Sequence, residues 1–125
     1  MRRPHPTLTA QELAIMKVVW RHGTATVRDV YEALRETRHV AYTTVMTMMN
    51  ILETKGYLKK DKQDRAFQYR PARAERTVIA SMVREFINRV FDGAPRPLLQ
   101  HLVKDAHLDE DERRELLRLI DEARK

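Results

Sequence analysis

Three short amphipathic helical patterns, a basic pair of strand-like runs behind them and a nearly charge-balanced helical tail predict a mainly α fold with a small β-wing. The organisation they predict is a winged helix-turn-helix domain over residues 1–73 followed by a helical dimerisation domain over residues 74–125. Hydrophobic residues make up 42% of the chain and charged residues 34%, which is enough apolar material for a core and too much for a disordered chain. The formal charge of +6 is unevenly placed. Residues 1–73 carry 14 Lys/Arg against 7 Asp/Glu, a net +7, whereas residues 74–125 carry 10 against 11, a net −1. A basic surface confined to one segment suits a polyanion, and a near-neutral segment suits packing against a copy of itself.

The first helix opens at Thr9-Ala10-Gln11-Glu12, the spacing of a capping box in which hydroxyl and carboxylate each take a backbone N–H. Leu13, Met16 and Trp20, with Ile15 and Val19 beside them, form its apolar stripe, and Gly23 ends it. Thr26 and Asp29 open a second helix with Val27, Val30, Tyr31 and Leu34 on one face and Arg28, Glu32, Arg35 and Glu36 on the other. A third helix runs from Ala41 to Lys55, with Ala41, Val45, Met48 and Leu52 on its inner side and Gly56 at its stop position. Tyr57–Lys60 and Ala66–Arg70 read as strands joined by the polar stretch Asp61–Arg65 and closed by Pro71, a hairpin with a basic tip.

A longer helix over residues 74–91 pairs apolar residues at Val78/Ile79, Met82/Val83, Phe86/Ile87 and Val90/Phe91, a stripe too wide for one neighbour to cover. A turn at residues 92–97 leads to a short helix from Leu98 to Lys104. Asp109 and Glu112 then start a last helix whose apolar face is Leu116, Leu117, Leu119 and Ile120. From these stripes the expected dimerisation surface is Val78, Ile79, Met82, Val83, Phe86, Val90, Leu98, Leu102, Leu116, Leu119 and Ile120.

Three helices followed by a basic hairpin is the order in which a third helix enters the major groove and a wing touches the backbone. Opposite its apolar side, the third helix carries Thr43, Met46, Thr47, Asn50 and Thr54, none of them charged. Such a face suits base edges: threonine donates, accepts or packs its methyl on thymine, and asparagine pairs bidentately with adenine. Uncharged readers neutralise no phosphate, so affinity is expected from Arg2, Arg3, Lys55, Lys59, Lys60, Lys62 and Arg65, the last able to reach phosphate or a minor groove.

The absence of cysteine excludes disulfides and thiolate metal sites, and neither a signal-like apolar region nor a membrane span is seen, so a cytoplasmic protein is expected. An enzyme is not expected. There is no glycine-rich phosphate loop, and His5, His22, His39, His101 and His107 lack metal spacing, His101 and Asp105 reading as a surface pair. Neither a metal, a cofactor nor a small-molecule substrate is expected.

Several runs together resemble the penicillinase-repressor family, the BlaI and MecI group of bacterial winged-helix regulators. They are Leu8–Met16 with Val18-Val19-Trp20, Val27-Arg28-Asp29-Val30, Ala41–Thr47, Leu52, Lys55-Gly56-Tyr57-Leu58, Phe67-Gln68-Tyr69, and Phe86-Ile87-Asn88 through Gly93. The resemblance adds Thr44 to the expected base readers and Tyr42 to the backbone contacts. It implies a homodimeric repressor of double-stranded operator DNA whose two-fold axis matches an inverted repeat, commonly with TACA and TGTA cores. It also implies an antibiotic response in which a membrane-sensor-linked protease cuts the dimerisation domain. The family's Asn-Phe cleavage bond corresponds to His101 and Leu102, and some relatives carry a basic residue where this chain has Met46. Copper-responsive relatives use a C-terminal cysteine cluster that this chain lacks. The alternative from another class is a winged-helix module that binds another protein, or senses an apolar ligand beside Met82 or Phe86.

Overall fold

The computed structural model describes residues 8–63, 66–104 and 107–123. In chain order the elements are α1 (Ala10–His22), α2 (Val27–Leu34), α3 (Tyr42–Thr54), β1 (Leu58–Gln63), β2 (Ala66–Pro71), α4 (Glu75–Val90), α5 (Pro95–Lys104) and α6 (Glu110–Ala123). The mainly α class with one small sheet follows the sequence pattern.

Both early helices start where their side chains satisfy otherwise unpaired backbone donors. The Glu12 N–H donates to the Thr9 hydroxyl at 3.1 Å while the Thr9 N–H donates to the Glu12 carboxylate at 2.9 Å. Thr26 and Asp29 repeat this reciprocal pair at 3.0 and 2.9 Å. The third helix has no side-chain cap at Ala41. Its far end is cleaner: Lys55 closes the last turn and Gly56, at φ +92°, reverses the chain into β1.

β1 and β2 pair antiparallel from Leu58↔Pro71 to Gln63↔Ala66, so Asp61, Lys62 and Gln63 extend the strand instead of belonging to the connecting turn. Their polarity is no obstacle, because a ladder at the surface needs backbone pairing and not apolar side chains. The Asp61 carboxylate moreover accepts from Arg70 Nε across the strands at 2.8 Å. A further rung joins Ala25 to Tyr69 through two backbone hydrogen bonds of 2.9 and 2.8 Å, tying the segment before α2 to the hairpin.

The core lies between α1, α2, α3 and the hairpin. Ile15, Met16, Val19, Val30, Val45, Met49, Leu52 and Leu58 are fully buried, each contributing ~1.5–3 kcal/mol of apolar burial. Along α3 the inner stripe is Val45, Met49 and Leu52, whereas Met48 is only half-buried and Ala41 is exposed. Met48 and Met49 both fall near one turn from Val45 and Leu52, so helical spacing admits either; packing against α2 and β1 selects Met49.

One compact unit ends at Met82 and a second begins at Val83. The division falls inside α4, not at residue 73. The reason is packing: Val78, only 4% exposed, completes the first core and Met82 packs against it. Trp20 also holds the segment leading into α4, its indole N–H donating to the Arg73 carbonyl at 2.9 Å. In the second unit, Phe86 and Phe91 meet edge to face at 5.8 Å, and the Gly93 N–H returns to the Ile87 carbonyl at 3.1 Å. The Asp109 and Glu112 pair starts α6 with hydrogen bonds of 3.1 and 2.7 Å.

Candidate nucleic-acid interface

Burial of Val45, Met49 and Leu52 turns the opposite side of α3 outward, and Thr43, Thr44, Met46, Thr47, Asn50 and Thr54 are all exposed there. Thr43, Thr47, Asn50 and Thr54 are spaced i, i+4, i+7 and i+11, which aligns them along one surface of the helix. This is an uncharged strip, with Met46 beside it at 39% exposure.

The C-terminal end of α3 is fastened to α1 by an ion pair. Lys55 Nζ lies 3.0 and 2.9 Å from the two carboxylate oxygens of Glu12, the same carboxylate that caps Thr9. Glu12 is a buried charged residue, 4% exposed. Burial pushes its pKa up, but the Thr9 N–H and the Lys55 ammonium outweigh that and hold it below the ordinary 4.5. Lys55, expected on phosphate, is therefore committed to an internal carboxylate; a desolvated partner 43 residues earlier gives no signal in local sequence.

The hairpin reaches α3 at Asn50. Asn50 Oδ1 accepts from Tyr69 Oη at 2.9 Å and from Lys60 Nζ at 3.2 Å. The Lys60 ammonium also sits over two rings, 4.8 Å from the centre of Phe67 and 5.8 Å from that of Tyr69. Burial, and then the nearby Glu53 charge, raise the Tyr69 pKa above its ordinary 10.0, so the phenol stays protonated and donates.

Of the other expected backbone contacts, Lys59 and Lys62 are exposed on β1. Tyr42 is exposed at the start of α3, its ring edge-on to Tyr31 at 5.5 Å. Arg2, Arg3 and Arg65 lie outside the described residues, as does Asp105. Between α2, α3 and the hairpin runs a groove of about 570 Å³ whose walls include Arg28, Tyr42, Met46, Asn50, Lys60 and Phe67. Arg28, expected on the outer face of α2, and Phe67, not among the expected DNA contacts, both line it. The alternation of Phe67 and Tyr69 on one strand face was the signal that could have placed Phe67 beside Lys60.

The expected dimerisation residues divide. Val78 is withdrawn into the first unit's core, and Met82 packs against the same core. Ile79, Leu98, Leu102 and Leu116 are half-buried, while Val83, Phe86, Val90 and Leu119 are 40% to 49% exposed, as is Leu117. The Ile120 side chain lies outside the described residues. His101 and Leu102 sit within α5, the histidine exposed and the leucine half-buried.

A three-helix core that projects an uncharged helical face beside a basic hairpin defines the winged-helix DNA-binding class. Within that class the chain belongs to the penicillinase repressor family, whose model matches residues 8–122. That family is one of transcriptional repressors and not of enzymes. The chain is 29% identical over 117 residues to the penicillinase repressor of Bacillus licheniformis, covering 94% of this chain and 91% of that one. It is 35% identical over 101 residues to the transcriptional regulator BlaI of Mycobacterium tuberculosis, covering 79% and 73%. The solution structure of the DNA-binding domain of the repressor BlaI is similar with a TM-score of 0.52 and 33% identity, over 60% of this chain and 90% of that one. The monomeric form of Bacillus licheniformis BlaI in complex with the blaP half-operator gives a TM-score of 0.51, with the same identity and coverage. Among the described residues no helix is long and apolar enough to cross a membrane.

Proposed function

We propose that the protein is a homodimeric transcriptional repressor, acting in the cytoplasm, that binds an inverted-repeat operator with one α3 in the major groove of each half-site. The observation that carries this reading is the uncharged, outward strip of α3 next to the Lys60 hairpin. A solvent-facing helix surface ordinarily carries lysine and glutamate; Thr43, Thr44, Met46, Thr47 and Asn50 instead offer hydroxyl, methyl, thioether and carboxamide groups to base edges. Lys59, Lys60 and Lys62, with Arg2, Arg3 and Arg65, supply the phosphate attraction, and Tyr42 adds a hydroxyl. The similarity to a repressor solved on a half-operator supports the same mode of binding.

The partner in dimerisation is a second copy of the chain. Exposed Val83, Phe86, Val90, Leu117 and Leu119 concentrate apolar area in the second unit, and a self-complementary apolar surface is the simplest way to cover it. Linking two half-site readers makes the second contact intramolecular and raises avidity without new base contacts. Release by a membrane-sensor-linked protease at His101–Leu102 is the mode of induction we propose on the family likeness. Cleavage there would interrupt α5 and separate apolar residues on its two sides.

The reading is tested by footprinting on DNA selected from a random pool. A protected dyad is expected, with Thr47→Ala weakening operator binding by ~1–3 kcal/mol and leaving binding to scrambled DNA unchanged. Equal affinity of the unaltered protein for selected and scrambled DNA overturns it.

A further inference from the structure

We propose that Tyr69 and Lys60 hold the Asn50 carboxamide as a hydrogen-bond donor, making Asn50 select guanine at its position in each half-site. The inference rests on the reading of α3 as the major-groove helix and assigns one of its side chains a base. Asparagine is ordinarily matched to adenine, because its oxygen accepts from N6 while its nitrogen donates to N7. That pairing needs a free lone pair on Oδ1. Here Oδ1 already accepts from Tyr69 Oη at 2.9 Å and from Lys60 Nζ at 3.2 Å, and an amide oxygen has two lone pairs.

The amide's orientation is fixed by chemistry. An ammonium only donates, so the carboxamide atom facing Lys60 is the oxygen, and the NH₂ group points the other way. Neither clamp is loosely placed. Tyr69 is 2% exposed and anchored through its backbone to Ala25, while Lys60 is held over the Phe67 and Tyr69 rings as well as by Asn50. Among the described residues nothing accepts from Asn50 Nδ2, and Asn50 is exposed. The edge offered to DNA thus carries donors alone, from the Asn50 amide and the adjacent Lys60 ammonium. Guanine is the base whose major-groove edge presents two acceptors, N7 and O6, and no donor. Adenine would set its N6 donor against this donor-only edge.

Tyr69 acts through Asn50 and is a positioning residue. Selection from random duplex DNA with the full chain, alongside Asn50→Ala, Tyr69→Phe and Lys60→Met, tests it. Asn50→Ala identifies the position by abolishing preference at one base pair per half-site, and the unaltered protein is expected to select guanine there. Removing the Tyr69 hydroxyl frees a lone pair and lets the amide turn, so the guanine-over-adenine ratio at that position is expected to fall about tenfold with the other positions retained. If Tyr69→Phe does not fold, Lys60→Met carries the same expected fall in the guanine-over-adenine ratio, together with weaker binding to every sequence from the lost cation. Any base other than guanine in the unaltered protein overturns the proposal. So does an unchanged ratio in the folded variants, or a loss spread evenly over all positions, which marks a merely structural role. If the unaltered protein selects no consensus at all, the repressor reading falls with it; a consensus lacking guanine at this position removes this inference alone.

Discussion

At the scale of single residues, Glu12 joins two tasks, capping α1 and anchoring the end of α3 through Lys55. Because its pKa is lower folded than unfolded, the stability it contributes is present above the unfolded value. That contribution is lost as pH falls through the depressed folded value. Glu12→Gln is therefore expected to destabilise the protein at neutral pH by about 1–3 kcal/mol and to flatten the acid limb of its stability curve below the ordinary carboxylate pKa. Denaturant titrations from neutral to acid pH would check this; coincident curves for variant and parent would show that the carboxylate adds nothing. The pair also marks a limit of reading from sequence. Capping at Thr9 and Glu12 was legible because its partners are three residues apart, whereas Lys55 read as a free cation because its partner lies on another helix. The Tyr69, Asn50 and Lys60 cluster was hidden for the same reason, Asn50 and Lys60 each reading as a separate DNA contact and their partners lying on other elements.

At the scale of elements, helix starts and the hairpin were legible from local chemistry, but which methionine faces inward was not. Met48 and Met49 flank the line from Val45 to Leu52 on opposite sides of the α3 wheel, and only the placement of α2 and β1 decides between them. The strands outran their apolar pattern because surface ladders tolerate Asp61 and Lys62. Gly56 is the joint on which the interface depends, linking the reading helix to the first strand of the wing. At φ +92° with no atom within 4 Å of an added Cβ, its substitution meets backbone strain and no steric clash. Gly56→Ala is expected to cost ~1–2 kcal/mol in thermal or denaturant unfolding. A neutral result would mean that the joint relaxes to an ordinary conformation.

At the scale of the whole molecule, charge and hydrophobic width point to two segments, and the division between the compact units falls inside α4, which runs through both. Its first turns complete one core through Val78 and Met82, and its later turns expose Val83, Phe86 and Val90. A uniform apolar stripe in sequence conceals that change of duty. If the later turns meet a second copy, Phe86→Asp is expected to shift the protein from dimer to monomer in sedimentation and to weaken operator binding. The melting of the first unit should change little. A variant that remains dimeric would place the self-association surface elsewhere.

The uncharged face of α3 has one more consequence, for how discrimination and attraction respond to ions. Counterions released from DNA are displaced by lysine and arginine, so raising salt should loosen binding to every sequence. The threonines and Met46 displace none. Titrations at several ionic strengths should therefore show affinities for operator and for scrambled DNA falling by nearly the same factor, their ratio holding almost constant. A protein built this way would let the ionic composition of its surroundings set how much of it is on DNA, while leaving nearly untouched which sites it chooses.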